Sequence, residues 1–190
     1  ARTSQRNLSV LVLDQPPARQ ARLIRETLPD AARIGLVSSA GEMPSDLAQS
    51  LRQQKLSVVF ESVGQERRLL DTVENMLINT DALLATPDSS IFNRQSIQGI
   101  FLLSYRHRKP VVGYSKSLGR AGALVSLFST PEQIGRQAAE LANQELEGSG
   151  LLGMYWPKYF EVTVNAQVAR SLDIELPSEK NLVRMLQAGE

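Results

Sequence analysis

The 190-residue chain carries 21 Lys and Arg against 20 Asp and Glu, a formal charge of +1, so it lacks the broad positive field on which nucleic-acid binding relies. It has no cysteine, which excludes disulfide frameworks, thiolate metal sites and cysteine nucleophiles. At 42% hydrophobic and 22% charged the composition can bury a sizeable core, while no apolar run approaches the length of a membrane span.

In chain order, the start ARTSQRN has no signal-peptide core, so a secretory leader is expected only if removed upstream of this numbering. Short Val-, Ile- and Leu-rich runs then alternate with segments of helical spacing. Strands are predicted at 8–13, 33–38, 56–63, 81–86, 110–115, 122–128 and 159–165. Between them Ala21, Ile24 and Leu28 share a helical face, as do Leu47 and Leu51. Leu69, Leu70, Val73, Met76 and Leu77 form a third stripe, and Ile97, Ile100, Phe101 and Leu103 a fourth. The clearest helix follows Thr130-Pro131, with Gln133 at capping-box spacing and Gly148 as its stop. Two short helices are predicted at 165–172 and 178–186, and 148–153 is the one loose stretch. Strand and helix alternating from Ala31 to Ser115 predict an α/β fold: three layers, a parallel sheet with helices on both faces.

Ligands of such sheets sit beyond the carboxyl ends of the strands. The residues there are Ser38 and Ser39, then Thr86-Pro87-Asp88-Ser89-Ser90, then Tyr114, Ser115 and Lys116. A helix beginning near Ser89 would turn free N–H groups and its positive dipole end toward an anionic group. Asp88 would hold an ammonium through a charge-assisted bond of about 1.5–3 kcal/mol. Structural readings stand beside these. Asp, Ser and Thr are ordinary N-caps, Ser38-Ser39 suits a plain loop, and Tyr114 suits a half-buried strand end. His107, the only histidine, stands among Arg106, Arg108 and Lys109 at a helix end, where cations suit the dipole. No carboxylate pair has acid/base spacing, and no GxGxxG, GxxxxGK[ST] or G-x-S-x-G motif is present. Nothing requests an enzyme, a metal or a cofactor.

Four stretches, LDQPPARQARLIRETLPDAARIGLV, LLATPDSSIFNRQSIQGIFLLSYRHRKPVVGYS, GRAGALVSLFSTPEQIGRQAAELANQEL and YFEVTVNAQVARSLDIELP, occur in that order. Together they resemble the periplasmic substrate-binding components of ABC transporters, in the group related to tryptophan and tyrosine binders. The resemblance runs from about Ser9 to Leu186. It implies a type I periplasmic-binding-protein fold, two α/β lobes joined by crossing strands, with LDQPPARQ as the crossing into the second lobe and the first lobe lacking. On that basis residues 1–128 form the second lobe. Residues 129–190 are a return segment whose helix 132–144 and strand near Val162 would pack on the first lobe. Their bare apolar faces would lead to a homodimer or to repacking on the remaining lobe.

The resemblance also implies a small amino-acid-like solute, a permease partner in the inner membrane, a periplasmic location and no nucleic acid. By position Asp88 and Ser89 match the family's proline-aspartate turn, Tyr114 and Ser115 the segment after the next strand, and Ser38 and Ser39 the loop after the lobe's first strand; Ser90 adjoins this set. Two alternatives from other classes remain, a ligand-sensing regulatory domain of the same fold and an α/β enzyme with a cofactor at the same rim.

Overall fold

Alternation along the first long strand sets up the layers. In β2 (Arg33–Ser38) the side chains of Ile34 and Leu36 enter one apolar cluster, and Val37 enters another on the opposite face. The same division repeats in β4 (Ala82–Leu84), where Ala82 and Leu84 join the first cluster and Leu83 the second. A strand apolar on both faces must be covered on both. A computed structural model of the chain, which describes residues 8–64, 69–147 and 153–189, supplies the covers. Helices α1 (Pro17–Thr27) and α2 (Ser45–Gln53) cover the first face, with α7 (Ala166–Leu172) and α8 (Glu179–Gln187). Helices α3 (Leu69–Asn79), α4 (Ile97–Arg106) and α5 (Lys116–Ala121) cover the second. At Gly35 the second layer comes closest: a Cβ there would stand 2.6 Å from the Met76 sulfur on α3.

The sheet has the strand order β3-β2-β4-β5-β6-β8, with β3 at Ser57–Ser62, β5 at Val111–Gly113, β6 at Val125–Phe128 and β8 at Glu161–Val164. All neighbours are parallel except β6 and β8, which pair antiparallel from Val125↔Val164 to Phe128↔Glu161. The fold is therefore the α/β sandwich expected from the sequence, with one antiparallel edge strand added. A second sheet of two parallel strands, β1 (Ser9–Leu11) and β7 (Gly153–Tyr155), stands apart. The long helix α6 (Pro131–Leu146) runs beside it.

Two expectations are corrected, and the strand near Val162 takes the second outcome expected for the return segment, packing on the remaining lobe. It closes the edge of the main sheet as β8, because Val162 and Phe160 fill the end of the first cluster over Ala169, Leu182 and Leu186. The helix expected from Ser89 starts at Ile97. Asp88 Oδ1 captures the Ser90 N–H at 3.0 Å, and Asn93 Oδ1 captures those of Gln95 and Ser96, so polar side chains compete with the helical ladder and hold 89–96 in turns. Gly153, the last residue of the stretch expected to be loose, begins the strand β7. The expected loose region 148–152 lies outside the described residues.

Candidate functional site

Parallel strands deliver their carboxyl ends to one rim, and the structure brings several of the expected residues together there. Asp88, just past β4, accepts hydrogen bonds at Oδ2 from the Ser39 N–H at 2.6 Å, the Ser39 hydroxyl at 2.9 Å and the Ser38 hydroxyl at 3.2 Å. Burial pushes the Asp88 carboxyl pKa upward, but the bonds from Ser39, Ser90 and Ser38 outweigh it and the net direction is down. The carboxylate thus ties the loop after β2 to the turn after β4. Ser38 Oγ also accepts the Ala40 N–H at 3.0 Å. Ser89 and Ser90 are exposed on that turn. Ser115 is an N-cap: its hydroxyl accepts the Leu118 N–H at 3.2 Å and starts α5.

Tyr114 belongs to a neighbouring cavity of ≈ 70 Å³. Its floor is apolar, made by Leu23, Leu84, Val112 and Leu127, and its polar wall comprises Asp14, Gln15, Gln20, Tyr114 and Ser129. The Tyr114 ring meets Phe92 edge-on, with centroids 6.2 Å apart. Burial, then the charges of Asp88 and Asp14, raise the phenol's pKa. Of the expected site residues only Tyr114 lines this cavity. Ser38, Ser39, Asp88, Ser89, Ser90 and Ser115 lie outside its lining, with Asp88 next in the chain to the lining residue Pro87 and Ser115 next to Tyr114.

Asp14, Gln15 and Ser129 were not singled out in the sequence. Solvent reaches Asp14, yet the crowded walls strip part of its hydration and raise its carboxyl pKa. No hydrogen bond or ion pair closes on that carboxylate among the described residues. One signal was available: Asp14 follows an apolar strand run just as Ser38 and Asp88 do. Gln15 is buried and donates to Ser129 Oγ at 2.8 Å, and Ser129 donates to the Tyr159 carbonyl at 2.6 Å. Arg19, also buried, donates to Gln15 Oε1 at 2.7 Å and the Pro157 carbonyl at 2.9 Å, and lies 4.0 Å over the Phe160 ring. These bonds gather the three segments that pass from the main sandwich to the β1, β7 and α6 unit.

His107 ends α4 and contacts Glu74 at 3.1 Å, away from the rim. No group of three or more His, Asp or Glu among the described residues could hold a metal ion. No helix among them is long and apolar enough to cross a membrane.

A parallel α/β sandwich with a polar-walled cavity at its strand ends, left by three crossing segments, agrees with the family model that fits this sequence. The model described as ABC transporter substrate binding protein matches residues 11–187. The chain belongs to that family. Among curated proteins, a tyrosine-binding protein of Clostridioides difficile is 21% identical over 167 residues, 84% of this chain and 48% of the relative. The chain thus spans about half the length of the curated relative it matches.

Among solved structures, a conserved domain protein from Vibrio cholerae has a TM-score of 0.70 at 24% identity, over 92% of this chain and 60% of the other. The ABC domain in complex with L-Trp from Streptococcus pneumonia gives 0.69 at 18%, over 90% and 60%. The ligand-free, open structure of a substrate binding protein with adhesive properties from Clostridium difficile gives 0.70 at 18%, over 91% and 60%. These likenesses show a shared periplasmic-binding-protein-like fold. The family is one of substrate-binding proteins and not an enzyme class.

Proposed function

We propose that the chain is the solute-gripping lobe of an extracytoplasmic binding component, taking a small amino-acid-like solute at the rim and delivering it to an ABC permease. The observation that carries this reading is the cavity at the strand ends, where an apolar floor meets the Tyr114 phenol and the carboxylate of Asp14, which has no partner among the described residues. An apolar side chain suits that floor, and an ammonium would pair with the Asp14 carboxylate at its wall. The relatives that bind tyrosine and L-Trp agree with such a solute.

Asp88, whose bonds are taken up by Ser38, Ser39 and Ser90, organises the rim, while the exposed Ser39, Ser89 and Ser90 border the mouth. Ser38 and Ser115 hold backbone there. Solute contacts on both sides of the three crossing segments would favour a closed arrangement over an open one. A homodimer would use the apolar strip of Leu8, Val10, Leu13, Leu146 and Met154, which are all exposed.

The test is a thermal-shift screen of this chain against L-tyrosine, L-tryptophan and the other amino acids. A true solute at a hundred times its Kd adds about 2.7 kcal/mol, or roughly 5–10 °C for a domain of this size. Asp14→Asn is expected to abolish that shift and Tyr114→Phe to reduce it. An Asp14→Asn variant stabilised as fully as the parent, or a screen without any hit, overturns the reading.

A further inference from the structure

At the edge of the sheet formed by β8, and sharing no lining residue with the cavity, α5, β8, α7 and the start of α8 line an open groove of ≈ 420 Å³. Three cations line it, Lys116 and Arg120 on α5 and Arg170 on α7, against one acid, Glu179. Glu179 is engaged, its Oε1 accepting the Val164 N–H at 2.9 Å. Five cations elsewhere are paired internally, Arg22 with Glu26, Arg106 with Glu74, Lys109 with Asp81, and both Arg136 and Lys158 with Glu140, and what sets the groove apart is that three cations share one concave surface. No ion pair closes on Lys116, Arg120 or Arg170 among the described residues, although Glu132 lies within electrostatic reach of Lys116. On a chain whose formal charge is only +1, this is a local positive excess and not a general one.

The floor of the groove is built low. Gly119 has no side chain there, and a Cβ would come within 2.8 Å of Thr163 Oγ1. Asn165 Nδ2 donates to the Gly119 carbonyl at 3.0 Å and pins the floor to the end of β8. The Thr163 hydroxyl, in the same wall, has no hydrogen-bond partner among the described residues.

We propose that this groove docks an acidic segment of a partner protein, an extended stretch presenting at least two carboxylates. Charge complementarity selects the partner, since guanidinium forks match carboxylates two bonds at a time. Arg120 and Arg170 stand on different helices, α5 and α7, that both line the groove, so each takes its own carboxylate. A single oxyanion would leave most of the groove unfilled.

The test is fluorescence anisotropy of labelled hexaglutamate titrated with this chain at low ionic strength. Saturable binding is expected, weakening as salt rises above about 0.15 M. The double variant Arg120→Gln/Arg170→Gln is expected to weaken it roughly ten-fold, the loss of two exposed ion pairs. Both side chains are exposed, and an unchanged melting temperature verifies the fold of that variant. Arg52→Gln, on α2, is expected to leave binding as it is. Inorganic phosphate and anionic vesicles form the competing arms. The proposal is overturned by the absence of saturable binding, by a double variant as tight as the parent, by phosphate displacing the peptide at matched ionic strength, or by binding to vesicles without binding to hexaglutamate.

Discussion

At Asp88 a single carboxylate collects four hydrogen bonds from two loops that are 50 residues apart in sequence. Those bonds hold its pKa below the ordinary 3.8 in spite of burial, which acts the other way. A depressed pKa means that stability is fully present above the unfolded value and is lost as pH falls through it toward the folded one. Asp88→Asn is therefore expected to cost about 1–2 kcal/mol at pH 7, since charge-assisted bonds are strong but this one is partly solvated. Urea titrations at pH 7 and pH 3 check it, and the gap between parent and variant should narrow at the lower pH. The meeting of Ser38, Ser39 and Asp88 was legible in the sequence, because parallel strands send their ends to one side. The engagement of Asp88 was not, since a hydrogen-bond partner 50 residues away leaves no local pattern. Asp14 was missed for a related reason: its role depends on how the crossing segment lies over the sheet.

Helix ends decide how far the elements could be read. Thr130 and Gln133 form the capping box their spacing predicts, with bonds of 2.9 and 3.2 Å. The stops of α2, α4 and α7 carry no such marker, because Lys55, Arg108 and Asp173 occupy left-handed positions where glycine is the usual residue. At α2 the Lys55 N–H bonds to the Arg52 carbonyl and that of Leu56 to the Leu51 carbonyl, both at 2.9 Å, the double closure of a Schellman motif. Lys55→Gly should then raise stability by about 0.5–1 kcal/mol, the strain relieved exceeding the entropy that glycine adds to the unfolded chain. Thermal unfolding of this variant provides the check, and a lowered midpoint would contradict the strain argument. The six-residue α5 and the three-residue β7 are too short for periodicity to reveal. β8 was found as a strand, but its partner depends on which sheet edge its apolar residues can fill.

For the whole molecule, the decisive residue is Arg19. Its buried guanidinium joins the segment after β1 to the segment before β8, while Gln15 and Ser129 bring in the one before α6. Arg19→Leu leaves Gln15 Oε1 and the Pro157 carbonyl without this donor, and is expected to cost about 2–3 kcal/mol in a urea titration. That loss should exceed the effect of Arg52→Gln, an exposed arginine on α2, by well over 1 kcal/mol.

The three crossing segments also tie the cavity to the rest of the molecule. The β1, β7 and α6 unit joins the sandwich through these three segments, and Gln15 and Ser129 belong both to the hydrogen bonds that lace them and to the cavity wall. A change that breaks the Gln15 to Ser129 bond would therefore disturb the wall and the lacing together.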